Sequence, residues 1–185
     1  MATAGPNAAS SATNWATNTN AFASDNQYAF NGAAPSGGLT ATLILQGFGF
    51  AIPAGATVDG ITVSIERKGQ SANTIKDYNI QLLNGSGTAV GSNKADTSVY
   101  WPTTDGTKSY GGAADTWSAS LTDTDVNSSS FGVAIRAQNL DASNTLSAYI
   151  DYVSITVNYT AASGQPMQAR SRRVPFVRKA RQIGW

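Results

Sequence analysis

The feature that most constrains the fold of this chain is a series of short segments in which apolar and polar residues alternate, each followed by turn residues. Residues 61–67 (Ile-Thr-Val-Ser-Ile-Glu-Arg) show the alternation most clearly, and residues 75–83 repeat it less regularly. A two-residue period is typical of a strand with one face on a core and the other in water. No segment shows a convincing helical period, so we expect an all-β protein.

Turn residues separate about eight such strands at intervals of roughly ten residues. Residues 84–87 (Asn-Gly-Ser-Gly) predict a hairpin turn, whereas residues 92–116 hold few apolar runs and predict mostly loop. Many short strands in sequence indicate a sandwich or a barrel. We therefore predict an antiparallel β-sandwich of the jelly-roll type, with an immunoglobulin-like sandwich as the alternative.

Three local features sharpen this prediction. The apolar residues of the last strand, residues 149–159, change parity, and a bulge near Tyr152–Val153 would reconcile them. Residues 123–130 form a polar stretch that suits a turn or one helical turn, with Thr122 or Asp123 as its cap. Trp117 is expected in the core.

Composition divides the chain into three parts. Residues 1–26 are rich in Ala, Ser, Thr and Asn, and their only large aromatic side chains are Trp15 and Phe22. Such a composition buries little surface, so we predict an extended N-terminal arm that folds either onto its own domain or onto a neighbour. Residues 27–160 are predicted to form the sandwich domain, and residues 161–185 a basic C-terminal arm.

Charge is distributed unevenly between these parts. Residues 1–160 hold six basic and all eleven acidic residues, a net charge of −5, whereas residues 161–185 hold six basic residues and no acid, a net charge of +6. A basic segment with no local acid is a signal for a partner of opposite charge. The acidic part of a second copy of the chain fits that description, so we expect a homo-oligomer.

The basic arm interleaves its cations with large apolar residues, which a purely solvated segment does not need. Arg forks bind carboxylates and aromatic rings fill pockets on a partner. Nucleic acid is a second and less favoured partner, and a disordered segment is the third alternative. The residues predicted to bind the partner are Arg170, Arg172, Arg173, Phe176, Arg178, Lys179, Arg181 and Trp185.

The residue types that commonly carry catalysis are scarce. The chain contains no His and no Cys, and Glu66 is its only Glu. The usual general base near neutral pH, the thiol nucleophile and the nitrogen and sulfur metal ligands are therefore missing. We expect a protein that is not an enzyme and that uses no cofactor and no metal.

Two groups of residues have the composition of binding sites. Tyr100, Trp101 and Tyr110 lie in the predicted loop region, where large rings serve as rigid apolar anchors of a loop or, if exposed, stack on the sugar rings of a glycan. Residues 123–127 open like a calcium loop, but Ser128 stands where such a loop needs Gly, and its closing Glu is also missing. A capped turn is therefore the favoured interpretation of the second group.

Several turn and core stretches resemble a family of β-sandwich modules found in bacteriophage structural proteins and in some large bacterial surface proteins. The matching stretches are residues 48–61, Trp117 with residues 121–122, residues 131–133 and residues 150–153. The resemblance covers most of residues 25–160 and implies a scaffold, with no catalytic residue carried over. The basic arm is not part of the shared pattern.

Together the resemblance and the charge pattern imply a virion protein. We expect a capsid decoration (cement) protein or a similar accessory subunit, located in the virion, whose partners are other capsid or tail proteins. The alternative is a glycan- or receptor-binding module of a tail or fibre. The longest apolar runs are far shorter than the roughly 20 residues that cross a bilayer, so no membrane partner is expected.

Overall fold

The computed structural model describes residues 1–162 of the 185-residue chain, so the predicted basic arm lies outside the described residues from position 163 onward. The described part is all-β with little helix, as the alternation predicts. The strands are β1 (Ala2–Ala8), β2 (Ser11–Thr13), β3 (Ala29–Ala34), β4 (Leu43–Gln46), β5 (Thr57–Gly69), β6 (Ile75–Leu83), β7 (Ala89–Val90), β8 (Gly106–Gly111), β9 (Gly132–Asn139) and β10 (Leu146–Thr160). A 3₁₀ helix spans Asn18–Ala21, and one short α-helix, α1, spans Asp123–Asn127.

The strands form two five-stranded antiparallel sheets. The first sheet has the order β1-β10-β5-β8, with β3 also pairing with β10, and the second has the order β2-β4-β9-β6-β7. The longest strands, β5 and β10, pair along most of their lengths at the centre of the first sheet. Within residues 1–162, no helix is long and apolar enough to span a bilayer.

The inner faces of the two sheets enclose a single apolar core. In β5, Ile61, Val63 and Ile65 are fully buried while Thr62 and Ser64 between them are partly exposed, which confirms the predicted alternation. Trp117 is also fully buried, as predicted, and its Nε1 donates a hydrogen bond to the Ile61 carbonyl at 2.8 Å. Burying one such large side chain stabilises the fold by about 1.5–3 kcal/mol.

The N-terminal segment is part of this sandwich. β1 pairs with β10 in the first sheet, and β2 pairs with β4 in the second. Trp15 is buried, and its Nε1 donates to the Ala41 carbonyl at 2.9 Å. Residues 1–26 therefore lie on their own domain, and the sandwich begins at residue 2 rather than at residue 27.

Strand β8 replaces part of the loop predicted for residues 92–116. It pairs with the outer edge of β5, from Thr62 opposite Gly111 to Arg67 opposite Gly106. Tyr110 is its only buried residue. An edge strand with one core contact has almost no apolar period, which is why the sequence pattern missed it.

The local predictions near turns are confirmed. The register between β10 and β5 shifts between Ile150 and Tyr152, so the bulge lies at Asp151, one residue before the predicted position. Thr122 caps α1 in a capping box with Asp125. Residues 84–87 join β6 to β7 as a hairpin.

Candidate functional site

The three rings predicted to stack on a glycan do not share a surface. Trp101 is 1% exposed and Tyr110 is 4% exposed, whereas Tyr100 is 36% exposed. A ring must present its face to solvent to stack on a sugar. The predicted platform is therefore wrong for Trp101 and Tyr110, which belong to the core.

A buried charge explains why these two rings face inward. Arg67 lies on the inner face of β5, where it forms an ion pair with Asp77 of β6 between the two sheets. The Asp77 carboxylate also accepts hydrogen bonds from Trp101 Nε1 at 2.7 Å, from the Tyr110 hydroxyl at 2.8 Å and from the Asp96 N–H at 3.0 Å. A buried carboxylate needs this many donors to offset its lost hydration.

The two rings also flank the Arg67 guanidinium. Its Cζ atom lies 4.6 Å from the Trp101 ring centroid and 5.6 Å from that of Tyr110. Burial raises the pKa of Tyr110 well above its ordinary value of 10.0, so this hydroxyl remains a donor to Asp77. The cluster joins β5, β6 and β8, and Asp77 accepts four hydrogen bonds in it whereas Arg67 Nε has no partner among the described residues. Its role is to hold the strands together.

The outer face of the second sheet presents two other aromatic rings. Tyr78 is 44% exposed and lies under the Arg136 guanidinium, whose Cζ is 5.7 Å from the ring centroid. Tyr100 lies under Lys76, whose Nζ is 4.1 Å from the ring centroid. This pair of exposed rings, with a cation over each, is the surface that could stack on a planar or sugar ligand.

The calcium-loop stretch uses its oxygen atoms within the fold. Asp125 accepts hydrogen bonds from Thr122 and from the Gly85 N–H, and Asn127 pairs with both backbone groups of Ile52. Asp123 accepts from the Gly55 N–H at 3.2 Å. The three side chains point to different partners, which supports the capped-turn interpretation.

A different set of acids converges on the first sheet. Glu66 of β5, Asp105 just before β8 and Asp151 at the bulge of β10 each place a carboxylate oxygen within 4.8 Å of the other two. We call these three residues the acidic cluster. Asp151 is only 1% exposed and accepts hydrogen bonds from the Asn26 N–H at 3.1 Å and the Asp25 N–H at 3.4 Å.

Aromatic residues and one lysine border the acidic cluster. The Tyr28 hydroxyl donates to Oδ2 of Asp105, and the Lys68 Nζ lies 3.6 Å from the Tyr28 ring centroid. Burial, and then the hydrogen bond to Asp105, raise the pKa of Tyr28. The contact with Tyr28 raises the pKa of Lys68, which therefore stays protonated at neutral pH.

The sequence gives no local signal for the acidic cluster. Its members come from three segments far apart in the chain. The predicted partner-binding residues, from Arg170 to Trp185, lie outside the described residues.

Comparison with protein-family models, curated proteins and solved structures finds no match to this chain.

Proposed function

We propose that this chain is a structural subunit of a bacteriophage particle, a capsid decoration (cement) protein or a similar accessory subunit. The observation that carries the proposal is the separation of charge between the sandwich, with −5 over residues 1–160, and the segment that follows β10, with +6. The absence of His and Cys from the sequence supports a role in which no covalent bond is made or broken.

We also propose the jelly-roll type for the sandwich. The pairing of eight strands, β1 and β4 to β10, supports the jelly-roll type. For comparison we number these strands 1 to 8 along the chain. The two sheets then have the orders 1-8-3-6 and 2-7-4-5. These orders are those of one long antiparallel hairpin, with 1 beside 8, 2 beside 7, 3 beside 6 and 4 beside 5, rolled over on itself. Jelly rolls of this kind occur in viral capsid proteins, although a fold alone does not establish a function.

The mechanism of the proposed clamp is electrostatic and apolar. The guanidinium groups of residues 170–181 bind carboxylates on the sandwich of a neighbouring subunit, and Phe176 and Trp185 fill apolar pockets beside them. A copy of the same chain offers such carboxylates, which favours homo-oligomers alongside other virion proteins. Nucleic acid is disfavoured because phosphates would be repelled by the acidic sandwich.

Deletion of residues 164–185 tests the clamp. The deletion variant should keep the circular dichroism spectrum of the sandwich but lose oligomers in sedimentation and lose incorporation into particles. A matched variant of full length, with the six basic residues of the segment changed to Gln, separates charge from length. Normal incorporation of both variants would show that the segment does not anchor the protein.

The second candidate function is binding of a glycan or receptor by a tail or fibre module. The exposed rings of Tyr78 and Tyr100 favour it, because each offers a face beside a cation. A glycan array probed with the full chain and with a Tyr78→Ala, Tyr100→Ala double variant tests it. Equal and weak signals for both proteins would remove this alternative.

A further inference from the structure

The acidic cluster is built by the pairing of three neighbouring strands. In the first sheet, Arg67 of β5 lies opposite Ile150 on one side and Gly106 on the other. Glu66, the bulge residue Asp151 and Asp105 are chain neighbours of these three positions. Register alone therefore brings the carboxylates together, across three separate segments of the sheet.

One oxygen of the cluster has no protein partner. Oδ2 of Asp105 accepts from Tyr28, but Oδ1 is shielded from solvent and accepts no hydrogen bond within the described residues. Buried polar atoms of proteins almost always have a partner. Oδ1 is thus the oxygen of Asp105 that is still available to a ligand, and this observation is independent of the convergence of the three acids.

No ion pair in the described residues involves the cluster. The ion pairs found in residues 1–162 join Arg67 to Asp77, Lys94 to Asp115 and Lys108 to Asp96, so none involves the cluster. Lys68 lies over the Tyr28 ring and its charge acts on Asp105 without a direct ion pair, so one cation faces three acids. A buried carboxylate such as Asp151, beside two others, is stabilised by pairing or by coordination of a metal.

We propose that Glu66, Asp105 and Asp151 bind one divalent cation, and that this cation is Ca²⁺. All three ligands are carboxylates, which suit hard cations rather than zinc or copper. Oxygens bound to one Ca²⁺ at about 2.3–2.6 Å are at most about 5 Å apart, and those of the cluster lie within 4.8 Å of one another. Mg²⁺ demands a tighter octahedral shell and keeps most of its waters.

The cation would add a link between three parts of the sandwich. Asp151 holds the backbone of Asp25 and Asn26, and Asp105 holds Tyr28, so the site joins the N-terminal segment to the bulge of β10 and to the start of β8. A ligand that binds only the folded state raises its stability. The site therefore makes the stability of the sandwich depend on calcium, whether or not the protein belongs to a virion.

The test is calorimetric titration of CaCl₂ into the full-length chain after treatment with EDTA, together with thermal unfolding at increasing CaCl₂. We expect one site per chain and a melting temperature that rises with CaCl₂ up to about 10 mM, well above the weakest protein calcium sites at about 1 mM. No heat and no rise in melting temperature over this range would overturn the proposal. A stronger response to MgCl₂ or ZnCl₂ than to CaCl₂ would overturn the assignment to calcium.

Variants locate the site and guard against a loss of folding. Glu66→Gln and Asp105→Asn should each weaken binding about ten-fold or more, because affinity follows the charge of the ligand set. Without calcium, Glu66→Gln should melt at the same temperature or higher, since it removes one of three like charges. Asp59→Asn, on the same strand but outside the cluster, is the matched control and should bind as the wild type does. Equal binding by all three variants would show nonspecific association and sink the proposal.

Discussion

The buried carboxylate of Asp77 offers the most direct test of how the sandwich is held together. Asp77→Asn keeps the size of the side chain but removes its charge, which leaves the Arg67 guanidinium buried without a counter-ion. The NH₂ group of the new amide would also lie against a group that now donates to Asp77, on Trp101, Tyr110 or Arg67, and two donors cannot bond each other. Breaking a buried ion pair by removing one partner costs about 3–5 kcal/mol.

Replacing Arg67, the other partner of the ion pair, should lower the free energy of unfolding by less. In Arg67→Met, the Asp77 carboxylate would still accept from Trp101, Tyr110 and the Asp96 N–H, so it would remain well solvated by the protein. We expect a loss of about 1–3 kcal/mol. Asp77→Asn should cost more than Arg67→Met because the two charged groups differ in their number of hydrogen-bond partners. Asp77 accepts from four donors, whereas Arg67 donates to one acceptor and its Nε has no partner among the described residues.

Urea unfolding followed by tryptophan fluorescence measures both losses, because Trp101 lies against the ion pair. For a chain of this size, a loss of 3–5 kcal/mol lowers the melting temperature by about 6–20 °C. Lys94→Ala is the control, since it breaks the half-exposed pair with Asp115 and should cost about 1 kcal/mol or less. The reasoning fails if Asp77→Asn loses no more than Lys94→Ala, or if Arg67→Met proves the more costly change.

Three further predictions follow from single contacts. Thr122→Ala removes the cap of α1 and should lower the free energy of unfolding by about 1 kcal/mol in urea titrations; no loss would mean that the capping box is not formed in solution. Gly132→Ala would drive a methyl group into the Leu45 carbonyl and should cost about 3 kcal/mol, and a stable variant would contradict the close pairing of β4 with β9. Hydrogen bonds from Thr122 and from Lys108 lower the pKa values of Asp125 and Asp96, respectively, below the ordinary 3.8. As the pH falls, these carboxylates take up protons in the unfolded chain before they do so in the folded one. The stability that the two hydrogen-bonded carboxylates contribute is therefore present above about pH 4 and is lost below it. Urea midpoints that stay constant from about pH 2 to pH 6 would refute this prediction.

The acidic cluster illustrates what the sequence could not supply. Its three residues look like ordinary surface acids in their own segments, and only the register of β10 and β8 against β5 brings them together. The same holds for Trp101 and Tyr110, which the loop-like composition of their segment placed at the surface. Both rings are buried beside Arg67, and a sequence pattern does not predict a cation in the core because charged side chains are rarely buried.

The sequence by itself determined the fold class, the hairpin at residues 84–87, the bulge of the last strand and the cap of α1, because each depends on neighbours within a few positions. It also determined the separation of charge between the sandwich and the segment after it. Only the tertiary structure decided that residues 1–26 complete both sheets, that β8 is a strand and that three distant acids meet. The physical reason is that β pairing is non-local: alternation fixes which face of a strand is apolar, whereas the partner and the register come from packing of the whole core.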